Sequence, residues 1–178
     1  MTERYCMFAA YNAWANERLY DAASKLSDTD YRADHGAFFK SLHGTLNHLL
    51  VADRIWMRRF TGSGDAPDRL DAILYEDIGE LREARRTEDL RISRFVDGLD
   101  EAALAGPLSF ISYRTVIKPT TYSQPLTSAL DHFFNHQTHH RGQVHCLLTG
   151  IGGRDAAPSV DLLQFQRDTA MGGIRQQA

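Results

Sequence analysis

The segment HFFNHQTHHRGQVH, from His132 to His145, carries five of the chain's eight histidines. Imidazole nitrogen binds first-row divalent metals and exchanges protons near neutral pH. A cluster this dense therefore points to a metal centre or a proton relay. Helical spacing sorts its members. At about 100° per residue, Leu126, Ala129, Leu130, Phe133, Val144, Leu147 and Leu148 share one face. His140 falls about 30° from the centre of that face and His136 about 70° from it. His132, His139 and His145 lie about 100° or more away, where solvent or an interface is expected. His136 and His140 are thus an i,i+4 pair at the edge of a buried stripe, close enough to share one ion.

Two ligands rarely make a tight site. The stretch around LHGTLNHLLVADRIW offers His43 and His48. Lys40, Asn47, Arg54 and Arg58 form its polar sector, with His43 beside them. His48 falls among Thr45, Ala52 and Ile55 and is the inward third candidate. Asp53 projects into the apolar set Phe38, Leu42, Leu46, Leu49, Trp56 and Phe60. A carboxylate there needs an arginine, an imidazole N–H or a metal, because an unpaired buried charge is costly. Asp53, Asn47, Asn135, Gln137 and Arg141 are candidates to orient the ligands or to act beside them. Tyr11, Trp14, Trp56 and Phe133 are candidate pocket walls as well as core residues.

Four long helical patterns must position these groups. They cover roughly residues 3–25, 37–61, 76–97 and 125–150. The segment LSDTDYRADHG interrupts the first two, and TGSGDAPD ends the second. Residues 108–122 are β-branched and aromatic with partial alternation, which predicts a short hairpin or an extended crossover. APSVDLLQFQRDTA predicts one short packing helix, with residues 170–178 as a loose tail. The fold class expected is all-α, a four-helix bundle with a long crossover, in a single domain over residues 1–178.

Composition narrows the function. The 178 residues are 43% hydrophobic and 24% charged, with a net charge of −3. That balance gives no basic signal for nucleic acid or an anionic membrane. No apolar run approaches the ~18 residues of a membrane span, and no secretory signal is expected. Only Cys6 and Cys146 occur, with no CxxC pair, so a reduced cytoplasmic protein is expected. Glu-x-x-His and HExxH are absent, which argues against carboxylate di-iron and zincin chemistry. No phosphate-binding glycine loop or GxSxG elbow is present.

YNAWANERLYDAA, TLNHLLVADRIWMRRF, HFFNHQTHHRGQVHCLLT and APSVDLL occur in an order that resembles the DinB family of bacterial metal-binding four-helix bundles. The resemblance runs from about residue 8 to residue 165. It implies a metal triad of one histidine on the second helix and an HxxxH pair just before Arg-Gly-Gln. These are His48 in LNHLL, and His136 with His140 before RGQ, the same three residues that the face count selects. It further implies one divalent ion, usually zinc or nickel, long crossovers in the helix connections, and a homodimer. Some branches, the YfiT-like and the mycothiol-dependent maleylpyruvate isomerase relatives, act with a low-molecular-weight thiol. The function expected is therefore a metal-binding protein, as a transferase using a small thiol. The alternatives are a metal-dependent hydrolase and a non-catalytic, stress-related dimeric metal-binding protein. A haem-binding bundle using two histidines is a weaker third idea.

Overall fold

Short polar side chains set where the helices begin. Ser41, Asp77, Asp100 and Asp161 each sit in extended backbone and accept a hydrogen bond from the N–H three residues on. Each meets one of the donors that a helix start leaves unpaired. Gly62 ends the second long helix in the left-handed region at φ 70°, where a side chain would be strained. A computed structural model describes residues 2–112 and 120–174. Its helices are α1 (Thr2–Ala23), α2 (Asp28–Arg32), α3 (Leu42–Thr61), α4 (Ile78–Asp97), α5 (Glu101–Ala105), α6 (Leu126–Gly152) and α7 (Leu162–Thr169). Strands β1 (Pro107–Ser112) and β2 (Thr120–Pro125) pair antiparallel, from Pro107 opposite Pro125 to Ser112 opposite Thr120. The chain is thus mostly helical with one small two-stranded sheet.

The hairpin expected at 108–122 is present as these two strands, and residues 113–119 lie outside the described residues. Residues 28–32, expected only to break the helical pattern, form the short α2, capped by Ser27. The second long helix starts at Leu42 instead of residue 37. Phe38 is therefore not on the apolar face around Asp53 but 83% exposed on the preceding turn. The short helix expected near the C-terminus is α7, whose Phe165 packs against Tyr11 and Trp14. In the tail expected to be loose, Met171–Gly173 forms a 3₁₀ turn against α1, and residues 175–178 lie outside the described residues.

Helices α1 and α3 each pack against both α4 and α6. The core divides into two apolar ends. One holds Tyr5, Trp56, Met57, Ile92, Val96 and Phe133. The other holds Leu19, Leu46, Leu49, Leu81, Val144 and Leu148. Reading each helix from end to end gives its direction: α1 and α6 run from the first cluster to the second, α3 and α4 from the second to the first. Helices α3 and α4 are consecutive and parallel, so the chain between them must return along the fold. Residues 62–77 do this, with an extended reach of roughly 50 Å against roughly 30 Å for α3. The long crossover thus lies at 62–77, not in the hairpin segment.

Between the apolar ends, every one of these four helices places polar groups at the same level. Asn12 and Asn16 come from α1, Asp53 from α3, Arg85 and Asp89 from α4, and Gln137 and Arg141 from α6, all buried. Arg85 bridges Asp53 at 2.6 Å and Asp89 at 3.0 Å. Asn12 and Asn16 donate to Asp89 at 2.9 and 3.1 Å, and Arg141 donates to Asn12. Two carboxylates face two guanidiniums, so the layer is neutral overall. Burial raises the pKa of Asp53 and of Asp89, against the opposing pull of Arg85 on both.

Candidate metal centre

His48 stands on α3 among Leu46, Leu49 and Leu50, and His136 and His140 stand one turn apart on α6. The parallel set of α3 and α4, closed by the 62–77 crossover, brings His48 against α6. Nε2 of His140 lies 3.2 Å from Nε2 of His48 and 3.1 Å from Nε2 of His136. One nitrogen from each ring lies within 4.8 Å of the other two. Nitrogens bound about 2.0–2.1 Å from a single ion sit roughly 2.9–3.4 Å apart at coordination angles between right-angled and tetrahedral. The two shorter separations fall in that range.

The outer nitrogens decide what the inner ones present. Nδ1 of His48 faces the carbonyl oxygen of Leu70 at 2.7 Å. A carbonyl only accepts, so this Nδ1 carries the proton and Nε2 is left with a lone pair. Nδ1 of His140 meets Oε1 of Gln143 at 2.7 Å, with the same consequence. The Gln143 amide nitrogen faces His139 in turn. Lone pairs 3.2 Å apart repel, and a cation between them converts that repulsion into coordination. Burial, the nearby His140 and His48, and then His132 and His139 push the pKa of His136 down to about 3. Burial also lowers His140, against the hydrogen bond that its Nδ1–H donates to Gln143 Oε1. The neutral, ligating form is therefore favoured. This group could hold a metal ion, and its donors fit one well.

The other expected site residues are dispersed. Asp53 is taken by Arg85. Asn47, assigned from sequence to a polar sector, is fully buried. Its Oδ1 accepts from the N–H groups of Leu74 and Tyr75 at 2.8 and 3.1 Å, which ties down the crossover. His43 is also buried, with Nε2 3.0 Å from the Tyr75 carbonyl. Gln137 is buried facing the Asp53 layer. Arg141 bonds Asn12 and Thr138 and lies over the Tyr11 ring, so it belongs to the polar layer as well. Asn135 is exposed. Tyr11 and Trp14 pack under α7, and Phe133 packs on Phe60 and Phe134 in the core. Trp56 alone of the four candidate walls approaches the triad, with its ring 5.0 Å from His132, which lies 5.9 Å from His136. Three groups at the triad escaped the sequence reading. Gln143 stands at i+3 from His140, a spacing that could have revealed it. The Leu70 carbonyl has no side-chain signal. Phe39, stacked on the His48 ring at 3.7 Å, falls inside the 37–61 helix expected from sequence but stands on the turn before α3, where a helical face count does not apply.

A family model described as the DinB family matches residues 1–176. Protein DinB of Bacillus subtilis (strain 168) is 29% identical over 167 residues, covering 89% of this chain and 92% of that protein. With the match running through all the helices that carry the three histidines, the chain belongs to the DinB family.

Proposed function

We propose that the protein binds one divalent metal ion, zinc or nickel, through His48, His136 and His140, and works as a transferase acting with a low-molecular-weight thiol. The observation that carries this reading is the convergence of three Nε2 atoms, two of them stripped of protons by acceptors behind the rings. Three neutral ligands leave the ion its full charge and one open position, the pattern of reactive rather than structural centres. Bound there, such an ion supplies Lewis acidity that lowers the pKa of a coordinated thiol. The protein's own groups aim and insulate the centre. Leu70 and Gln143 fix the imidazole tautomers, and Phe39 covers one face of His48. Asp53 is held by Arg85 and does not fill the open position. Asp53, Asn47, Gln137 and Arg141 act at one remove, by holding helices and crossover in register. The same reading takes residues 1–178 as one four-helix-bundle domain, cytoplasmic and homodimeric.

Elemental analysis of tag-free protein purified without chelator tests the centre, beside His48→Ala and His140→Ala. About one ion per chain in the wild type, lost in both variants, is expected. Folded wild type that takes up neither zinc nor nickel refutes it. Loss of free thiol in the presence of an alkyl or aryl halide, faster with metal-loaded wild type than with His136→Ala, tests the transferase reading.

A further inference from the structure

Aromatic rings approach the triad from two sides. On one side Phe39 stacks on His48 with an interplanar angle of 17° and lies 5.6 Å from the His140 ring. Phe38 meets Phe39 edge-on at 4.9 Å and is itself 83% exposed. On the other side His132 lies against His136, Trp56 against His132, Phe110 against Trp56 at 5.4 Å, and Tyr122 over Phe110 at 5.9 Å. Tyr122 is 48% exposed. The hairpin supplies the last two rings, and the Arg59 guanidinium lies 4.5 Å over both the Trp56 and the Phe110 rings, which closes this group off as core packing beyond His132.

A tight turn, residues 37–40, carries the first side, with the Lys40 N–H donating to the Ala37 carbonyl at 2.7 Å and the Ser41 N–H to that of Phe39 at 2.8 Å. Lys40 sits at φ 66°, in the left-handed region that side chains other than glycine's enter at a cost. The Phe39 carbonyl presses so closely on α3 that only glycine fits at position 44. This strained turn sets one phenyl ring on a candidate ligand and leaves its neighbour in water. Leu70, whose carbonyl holds His48, also leaves its side chain 37% exposed.

We infer that the Phe38–Phe39 turn and the exposed His132 ring flank the triad as walls for a planar aromatic or conjugated organic molecule, the second substrate of the centre. Flat rings gain from offset and edge-on contacts with aromatic walls that a puckered ring of equal size cannot make. This inference rests on the proposed reading that chemistry takes place at the triad, but binding tests it separately. Nitrobenzene and nitrocyclohexane share one polar group and differ in ring shape. Their dissociation constants are measured by ligand-observed NMR on zinc-treated and chelator-treated protein, for wild type, Phe38→Ser and Phe39→Leu, with metal content read in parallel. Wild type is expected to favour nitrobenzene at least about tenfold, and both variants to lose most of that preference with metal content unchanged. Phe38 is largely exposed, so its replacement leaves the fold intact should Phe39→Leu perturb it. Equal binding of the two probes by wild type overturns the inference, as does a preference unchanged in Phe38→Ser. A change of oligomeric state in Phe38→Ser with unchanged preference assigns that ring to a second copy of the chain and overturns it as well. Wild type that shows the preference but takes no metal refutes the metal centre and leaves the aromatic walls standing.

Discussion

Replacing Arg85 by methionine keeps the length of the side chain and removes its charge. Arg85 is 2% exposed and Asp53 1% exposed, and their bridge is 2.6 Å long. The change leaves the Asp53 carboxylate buried with no cation bound to it. Breaking a buried pair from one side costs about 3–5 kcal/mol. In a chain of this size that is a fall in Tm of roughly 6–20 °C. Asp89 suffers less, because the amides of Asn12 and Asn16 still reach it. The deficit should depend on pH. Burial already raises the Asp53 pKa above its ordinary value, and loss of Arg85 removes the main opposing effect. A carboxyl whose folded pKa lies above its unfolded one binds more protons when folded, so its penalty is small at acid pH and grows as pH rises. Arg85→Met should therefore recover part of its lost stability between pH 7 and pH 5, and Arg85→Met with Asp53→Asn should recover part of it at pH 7. Urea unfolding followed by circular dichroism reads all of this, with metal content measured on the same samples. A deficit below about 1 kcal/mol, or one that does not change with pH, would refute the account of the layer as a set of mutually neutralised buried charges.

Gln143→Ala removes the acceptor behind His140, and metal affinity should fall about 10–100-fold with the fold intact, as measured by competition with a chromogenic chelator. Gly44→Ala drives a methyl group into the Phe39 carbonyl; a loss of at least about 1 kcal/mol is expected, together with a change in the aromatic circular dichroism from the Phe39–His48 stack. Metal-free protein should lose stability as pH falls from about 6.5 toward 3, because His136 with its pKa near 3 resists protonation in the folded state and accepts it readily when unfolded. Thermal melts of chelator-treated protein across that range should show a steeper loss for wild type than for His136→Gln.

Much of the centre is legible in the chain because helical periodicity is a strong constraint. His136 and His140 share a face by spacing alone, and His48 separates from His43 by its neighbours. Asp53 is recognisable as a carboxylate in need of a partner. Which arginine supplies that partner is not, since Arg82, Arg85 and Arg86 stand together on α4 and only packing sends one of them inward. Asn47 misleads for a related reason. A wheel groups residues by angle on one helix and cannot know that a loop lies over that sector. The parallel course of α3 and α4 is a tertiary fact, visible only once both apolar ends of each helix are matched to their clusters. The short α2 had a usable signal in Ser27 and Asp30, three residues apart: Ser27 Oγ accepts from the Asp30 N–H and its hydroxyl donates to the Asp30 carboxylate.

The grip of α3 on the 62–77 crossover bears on how an ion would come and go. Neighbouring residues hold that segment, Asn47 at Leu74 and Tyr75 and His48 at Leu70, and none of these bonds involves a metal. The His48 ring is therefore aimed by the crossover through contacts within the chain itself. In a zinc finger the ligands are ordered by the metal, and dissociation is unfolding. Here dissociation would leave an assembled socket. If the proposed centre binds metal, one ion could then replace another without rebuilding the protein, and the occupant would be set by supply and relative affinity at equilibrium rather than by whichever ion was present when the chain folded.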